Sequence, residues 1–313
     1  MSYVHFIYKG KEMVIDSLLA ETVASVVWNT KQDNDGVIIV SGDRQVGTGK
    51  SVLAQTMAAF SSYLKHKWEM NKDSFNLSNI HFDSAVMIKD VLDKPNMSDF
   101  IYDEAYNSLS TGKTFQKAQQ DMLDFFTECR FKNNIYFIVL PDFYELKENI
   151  AVARSEVLVI VYRTSHTLKK DFVGDGVKRN LTVWDRGQFK CWNREGKNLM
   201  YDFFRTTRRK SYATIKPTFP VGQFTNQFPF GKEEYEKMKM DALARFKGQR
   251  EEKEGVKNKP LTGRQERAMK QRDLLITELK KRCPELSDND IGHICGMTRV
   301  GVLDARQAVV NGV

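Results

Sequence analysis

Within the 313 residues, Gly47-Thr48-Gly49-Lys50-Ser51 is the stretch whose residue types and spacing point most directly to chemistry. Backbone N–H groups of such a glycine-bearing turn converge on one anion. The N-terminus of a following helix adds partial positive charge, and a lysine ammonium reaches the oxygens beyond. The expected cofactor contacts are therefore Gly47, Thr48, Gly49, Lys50, Ser51 and Val52 against the phosphates of ATP, with the Ser51 hydroxyl on Mg²⁺. The second informative stretch is Asp99-Phe100-Ile101-Tyr102-Asp103-Glu104-Ala105. Three apolar residues ending in two acids read as a strand that delivers carboxylates at its carboxyl end. Asp103 would hold the metal through its water, and Glu104 would polarise the water that attacks the terminal phosphate.

The elements that must position these groups are legible around them. The apolar run Val37-Ile38-Ile39-Val40 predicts a buried strand before the loop, and the spacing of Leu53, Met57, Phe60 and Leu64 predicts a helix over 51–68 after it. Further strands are expected at 79–82, 100–102, 135–140 and 157–162. Helices are expected at 17–28, 84–92 and 114–131. Strands alternating with helices imply a parallel sheet with right-handed crossovers, so residues 1–165 read as one α/β nucleotide-binding domain. Arg130 ends the long helix and Arg154 precedes the last strand. Either could serve a neighbouring subunit as an arginine finger, and either could instead face solvent or cap the sheet.

Composition bounds the rest. The hydrophobic fraction, 41%, is ordinary for a globular protein. No apolar run approaches a membrane span and the N-terminus lacks the layout of a signal peptide, so a cytoplasmic location is expected, with no membrane partner. Cys129, Cys191, Cys283 and Cys295 are scattered without a metal-ligand spacing and indicate neither a disulfide framework nor zinc. Charge is divided unevenly. Residues 1–165 carry 17 Lys and Arg against 21 Asp and Glu, whereas residues 166–313 carry 31 against 19, so a net −4 is joined to a net +12. A basic half beside a nucleotide-binding half suggests a polyanionic partner, DNA.

In that second half, short runs at 181–184, 189–192 and 199–204 are divided by Asp185-Arg186-Gly187-Gln188 and Glu195-Gly196-Lys197, which reads as an antiparallel meander. With the Pro- and Phe-rich strap that follows, it forms an expected small β extension over 166–231, with Arg208 and Arg209 as DNA contacts. A helix over 232–250 and a charged linker over 251–262 follow. The last domain, 264–313, begins with a helix whose apolar face would be Leu274, Leu275 and Leu279. Ser287 and Thr298 are placed to cap two further helices around Gly296, with Ile291, Ile294 and Val302 packed between them. That is helix-turn-helix spacing, and Arg299, Arg306 and Gln307 are its DNA-facing candidates. A protein-binding helical hairpin fits the same pattern.

With the loop and the Asp-Glu-Ala strand end in place, residues 1–165 resemble the P-loop ATPases that have an added strand and a catalytic glutamate. Within that class the chain looks most like the DNA-translocating and packaging ATPases of viruses and mobile elements, the FtsK/HerA-type and zonula-occludens-toxin-like group. The resemblance implies a RecA-like parallel sheet with flanking helices and assembly into a homo-oligomeric ring such as a hexamer. It also implies ATP-driven movement of DNA in the host cytoplasm, alongside a portal or replication partner. Two departures stand out. Arg44 occupies the position of the usual first glycine, and the strand at 135–140 ends in Leu140-Pro141-Asp142, without the polar sensor of many relatives. The competing readings are an ATP-gated DNA-binding adaptor, such as a helicase loader or regulator, and a small-molecule kinase.

Overall fold

The computed structural model describes residues 2–42, 47–103, 124–171, 177–257, 263–295 and 297–310; side chains at 220, 246–257, 263–269, 299, 304 and 307–310 are not described. The chain divides into two units, Met1–Leu243 and Ala244–Val313. A hairpin of β1 (Tyr3–Tyr8) and β2 (Lys11–Asp16) opens the first unit and leads into helix α1 (Ser17–Thr30). Next come β3 (Gly36–Gly42), α2 (Lys50–Lys67), β4 (Ile80–His81), α3 (Ser84–Asp93), β5 (Asp99–Tyr102) and β6 (Ile135–Leu140). The unit continues through β7 (Val157–Lys170), β8 (Arg179–Trp192), α4 (Arg194–Thr207), β9 (Phe219–Gln223) and the start of α5 (Lys232–Lys257).

The seven-stranded sheet has the order β4-β5-β6-β3-β7-β8-β9. Pairings from β4 to β7 are parallel, and β8 and β9 join antiparallel. This is a mixed α/β fold with a mostly parallel central sheet and flanking helices. Every residue of β3, β5 and β6 is buried, which explains why these strands read as unbroken apolar runs: both faces of a parallel sheet are covered. Helix α2 is buried nearly all round, and its Ala54, Ala58, Ala59, Ser61 and Ser62 let it lie close to its neighbours. The Phe60 ring packs edge-on against Phe6 of the β1–β2 hairpin at 5.1 Å.

A buried polar knot sets where β5 begins. Asp99 accepts hydrogen bonds from Lys65 Nζ at 2.8 Å and Ser61 Oγ at 2.7 Å, both on α2, and from Ser74 Oγ. Neither Lys65 nor Asp99 has any exposed side-chain surface. Burial pushes the Asp99 carboxyl up and the Lys65 ammonium down, each partly offset by the other. The knot ties the helix that starts at the loop to the strand that ends at Asp103.

Three expectations change in the second half. The strand expected at 157–162 runs on to Lys170 and pairs with a continuous β8, so the β extension grows out of the central sheet itself. Residues 199–204 are helical, not a strand: Asn193 Oδ1 caps α4 by accepting from Gly196 N at 3.0 Å, and Lys197, Met200 and Tyr201 turn inward at helical spacing. Helix α5 continues to Lys257, through most of the stretch read as a linker. Of the helix expected at 114–131, residues 114–123 lie outside the described residues; 124–128 are helical.

The second unit contains α6 (Gly263–Arg282), α7 (Asp288–Cys295) and α8 (Arg299–Val310). Its small core is Ile276, Ile291, Val302 and Ala305. The inward face of α6 is thus Asp273 and Ile276, whereas Leu274 and Leu275 are exposed; Ile294 is exposed as well. The caps fall where expected. Ser287 Oγ accepts from Asp290 N at 3.2 Å while Asp290 accepts from Ser287 N at 2.9 Å, and Thr298 Oγ1 accepts from Gly301 N at 3.2 Å. No helix among the described residues is long and apolar enough to cross a membrane.

Candidate functional site

A cavity of about 510 Å³ lies at the carboxyl ends of the parallel strands, where open α/β sheets place their ligands. Its floor is residues 47–52, and Asp103 stands at the end of β5 across from them. Gly49 is the N-cap of α2 at φ +99°, a backbone region that a side chain disfavours, which is why glycine precedes Lys50. Thr48 is buried, and its Oγ1 accepts from Lys50 Nζ at 3.4 Å. Asp103 is 1% exposed, and its backbone N–H is fixed to the His81 carbonyl at 2.8 Å. The sheet thus brings Lys50, Ser51 and Asp103 to one cleft from elements far apart in the chain. Glu104, like Arg44, lies outside the described residues.

The oxygen donors suit Mg²⁺, which binds through few protein ligands and keeps phosphate and water oxygens: here one hydroxyl, Ser51, and one carboxylate, Asp103. Gly47 and Gly49 on the floor both have positive φ, a backbone form that can turn successive N–H groups toward one anion.

Elements that the sequence did not connect to the site close its other walls. The start of α5 contributes Lys232, Tyr235, Glu236 and Lys239, and the strap before it contributes Asn226 and Phe228. The Tyr235 hydroxyl donates to Asp103 Oδ2, while its ring packs against Phe228 at 5.8 Å and Phe82 at 6.1 Å. The Phe224 ring lies against Gly49, 3.0 Å from where a Cβ would stand. Arg186 of β8 also lines the cavity. Its local signal, a glycine after Arg186, was visible in the sequence but read there as a turn.

The end of β6 offers the cavity only Val139, Leu140 and Pro141. Asp142 is committed elsewhere: it accepts from Tyr212 Oη and, at 3.0 Å, from Lys210 Nζ. Burial opposes its charge, but these hydrogen bonds outweigh that and hold the carboxyl below its ordinary value.

The remaining expected site residues sit away from this cleft. Arg154 donates to Asp35 at 2.7 Å, just before β3, and Arg130 lies in the turn before β6. Both are therefore at the amino ends of the parallel strands, about 20 Å from the loop, given the seven residues of β3. They do not line the cavity of their own chain. Arg208 and Arg209 are exposed after α4. Arg306 is half-buried and donates to Asp288 at 3.2 Å. Arg299 begins α8, and its side chain is not among those described.

No family model matches the chain, and no curated protein matches it.

Proposed function

We propose that this chain is a Mg²⁺-dependent ATPase of the P-loop class that assembles as a ring and moves DNA, as the packaging and translocating ATPases of viruses and mobile elements do. The observation that carries the ATPase reading is the shared cavity of Lys50, Ser51 and Asp103. Ser51 and Asp103 would hold Mg²⁺, which when bound would supply neutralisation of the phosphate charge. Lys50 would neutralise phosphate oxygens, the 47–51 backbone would fix their position, and Asp103 with Ser51 would orient the metal. The sheet order supports an added-strand, RecA-like core, because β6 stands between the strand that leads to the loop and the strand that ends at Asp103. Glu104, next along the chain, is the proposed base. For DNA, the support is the basic second half, exposed Arg208 and Arg209, and the capped pair α7 and α8, read as helix-turn-helix-like.

One observation favours a second reading, an ATP-gated DNA-binding adaptor. The Tyr235 hydroxyl already occupies Asp103, so loading of metal and nucleotide would displace α5 and could signal without pumping.

Purified full-length protein and its Lys50→Ala and Glu104→Gln variants separate these. The motor predicts DNA-stimulated ATP hydrolysis and displacement of a triplex strand, with both lost in each variant while Glu104→Gln still binds ATP. Hydrolysis without displacement selects the adaptor. Absence of ATP binding by the wild type removes both readings. Deletion after Gly263 should weaken DNA binding and flatten its salt dependence; unchanged affinity removes the helix-turn-helix-like assignment.

A further inference from the structure

Two arginines approach the phosphate loop from the β7–β8 hairpin, and the local strand geometry accounts for their position. Along the hairpin, Tyr162 pairs with Gln188, but the next pairing is Thr164 with Asp185. Two residues of β8, Arg186 and Gly187, therefore stand opposite the single residue Arg163. This is a β-bulge, a device that re-aims side chains and recurs beside active sites. Gly187 has φ +96°, and a Cβ there would lie 2.7 Å from the Phe224 carbonyl oxygen, so glycine is required on both counts. The Phe224 amide in turn donates to the Gly187 carbonyl at 2.8 Å, which pins the bulge to the strap that crosses the loop.

The bulge brings both guanidinium groups to Gly47. A Cβ at Gly47 would stand 3.1 Å from Arg163 Nη2 and 3.7 Å from Arg186 Nη2. Neither arginine has an ion-pair partner among the described residues. The Arg163 Nε–H is shielded from solvent and has no hydrogen-bond acceptor among them either; of the two arginines, Arg186 lines the cavity and Arg163 reaches its edge at Gly47, where an anion bound against the loop would relieve that cost. Two guanidinium groups that lack ion-pair partners among the described residues, both within 4 Å of a Cβ at Gly47, repel each other unless an anion stands between them. The end of β6 offers no polar side chain to the cavity.

Resting on the nucleotide reading above, we infer that Arg163 and Arg186 act in cis as a two-arginine clamp on the terminal phosphate of the bound triphosphate. The loop N–H groups hold the phosphate before it, and Arg186 and Asp103 both line the cavity. Guanidinium forks match phosphate oxygens in pairs, and they stabilise charge that spreads over those oxygens as the bond to the leaving diphosphate lengthens. The clamp takes the place of a polar residue at the end of β6, and each subunit carries it for its own nucleotide.

The test uses Arg163→Ala, Arg186→Ala and the Arg163→Lys and Arg186→Lys variants of the full chain. The readouts are calorimetric binding of Mg·ATP and Mg·ADP, and steady-state hydrolysis. Each alanine variant should lose about 10²-fold or more in kcat, bind ADP within about threefold of wild type, and lose most of its preference for ATP over ADP. The lysine variants keep the charge and should recover ATP affinity without recovering kcat. Hydrolysis within about threefold of wild type in both alanine variants overturns the inference, as does an equal loss of ADP and ATP affinity. If Lys50→Ala abolishes binding while the arginine variants behave as wild type, only the clamp fails; if wild type binds no nucleotide, the clamp and the nucleotide reading fail together. Mixing Arg186→Ala with Lys50→Ala protein tests the action in cis. No activity should return, and restored hydrolysis would show that the arginine serves a neighbour.

Discussion

Replacing Lys65 by Met should unfold the first unit more readily than any surface change, and by an amount that pH controls. The substitution keeps most of the side chain's length but removes an ammonium that donates to Asp99 at 2.8 Å and to the Met97 carbonyl at 2.8 Å. Asp99 keeps only the Ser61 and Ser74 hydroxyls, in a position with no exposed surface. Removing one partner of a buried pair leaves an uncompensated charge and costs about 3–5 kcal/mol. Against a total stability of about 5–15 kcal/mol for ordinary domains, that is a large fraction. The pH dependence follows from Asp99. Burial raises its carboxyl above the unfolded value, so stability from this group is present at low pH and lost as pH rises through the folded value. With Lys65 gone the rise is larger, and the gap between variant and wild type should narrow from pH 8 to pH 5. Urea unfolding followed by tryptophan fluorescence at both values measures it. Lys65→Met with Asp99→Asn should recover part of the loss, because no charge then remains buried. A loss below about 1 kcal/mol, or a gap that widens on acidification, would refute the argument that an unpaired Asp99 dominates.

Two further outcomes are expected. Tyr235→Phe removes the hydroxyl that occupies Asp103; a net hydrogen bond to a charged group is worth about 1.5 kcal/mol, so Mg·ATP should bind about tenfold tighter by calorimetry, and weaker binding would mean that the tyrosine helps to hold the nucleotide instead. Lys197, buried in the first unit against the Ser155 carbonyl and hydroxyl, is pushed down to about 7 chiefly by burial. The unfolded chain therefore holds more protons than the folded one between about pH 7 and pH 10. Relative to Lys197→Met, wild type should gain about 1.4 kcal/mol per pH unit across that window in urea unfolding, and parallel profiles would contradict this.

What could be read from the sequence divides by the range of the determining interaction. The loop, the acid-bearing strand and the buried strands were legible because each is fixed by its own residues: Gly49 by its left-handed φ, and β3 and β6 by burial on both faces. The α7 and α8 caps were legible for the same reason. The long arms of β7 and β8 were not, because His166, Thr167, Lys169 and Lys170 show no apolar alternation and become strand only through pairing with Val183, Thr182, Asn180 and Arg179 of β8. The aromatic run of α4 favoured a strand until Asn193 capped it. Phase on α6 was lost because adjacent Leu274 and Leu275 are exposed while Ile276 carries the core. Tyr235 had no local signal at all, since its role depends on a strand end that lies far away in sequence.

Asp185-Arg186-Gly187-Gln188 shows why these misreadings bear on function as well as fold. A glycine flanked by polar residues is equally a tight turn or a bulge, and only register decides between them. Read as a turn, it makes the second half a separate basic module and leaves all of its positive charge for DNA. As a bulge in a continuous strand of the central sheet, it places Arg186 in the cavity, where Lys232 and Lys239 from α5 also stand. Part of the +12 carried by residues 166–313 therefore faces the cleft that the loop builds. The fold thus assigns residues up to 243 to the first unit, in which the antiparallel edge completes a site that the parallel strands only begin. The charge left for a polyanion is correspondingly smaller, and exposed Arg208 and Arg209 and the second unit are where it should be sought.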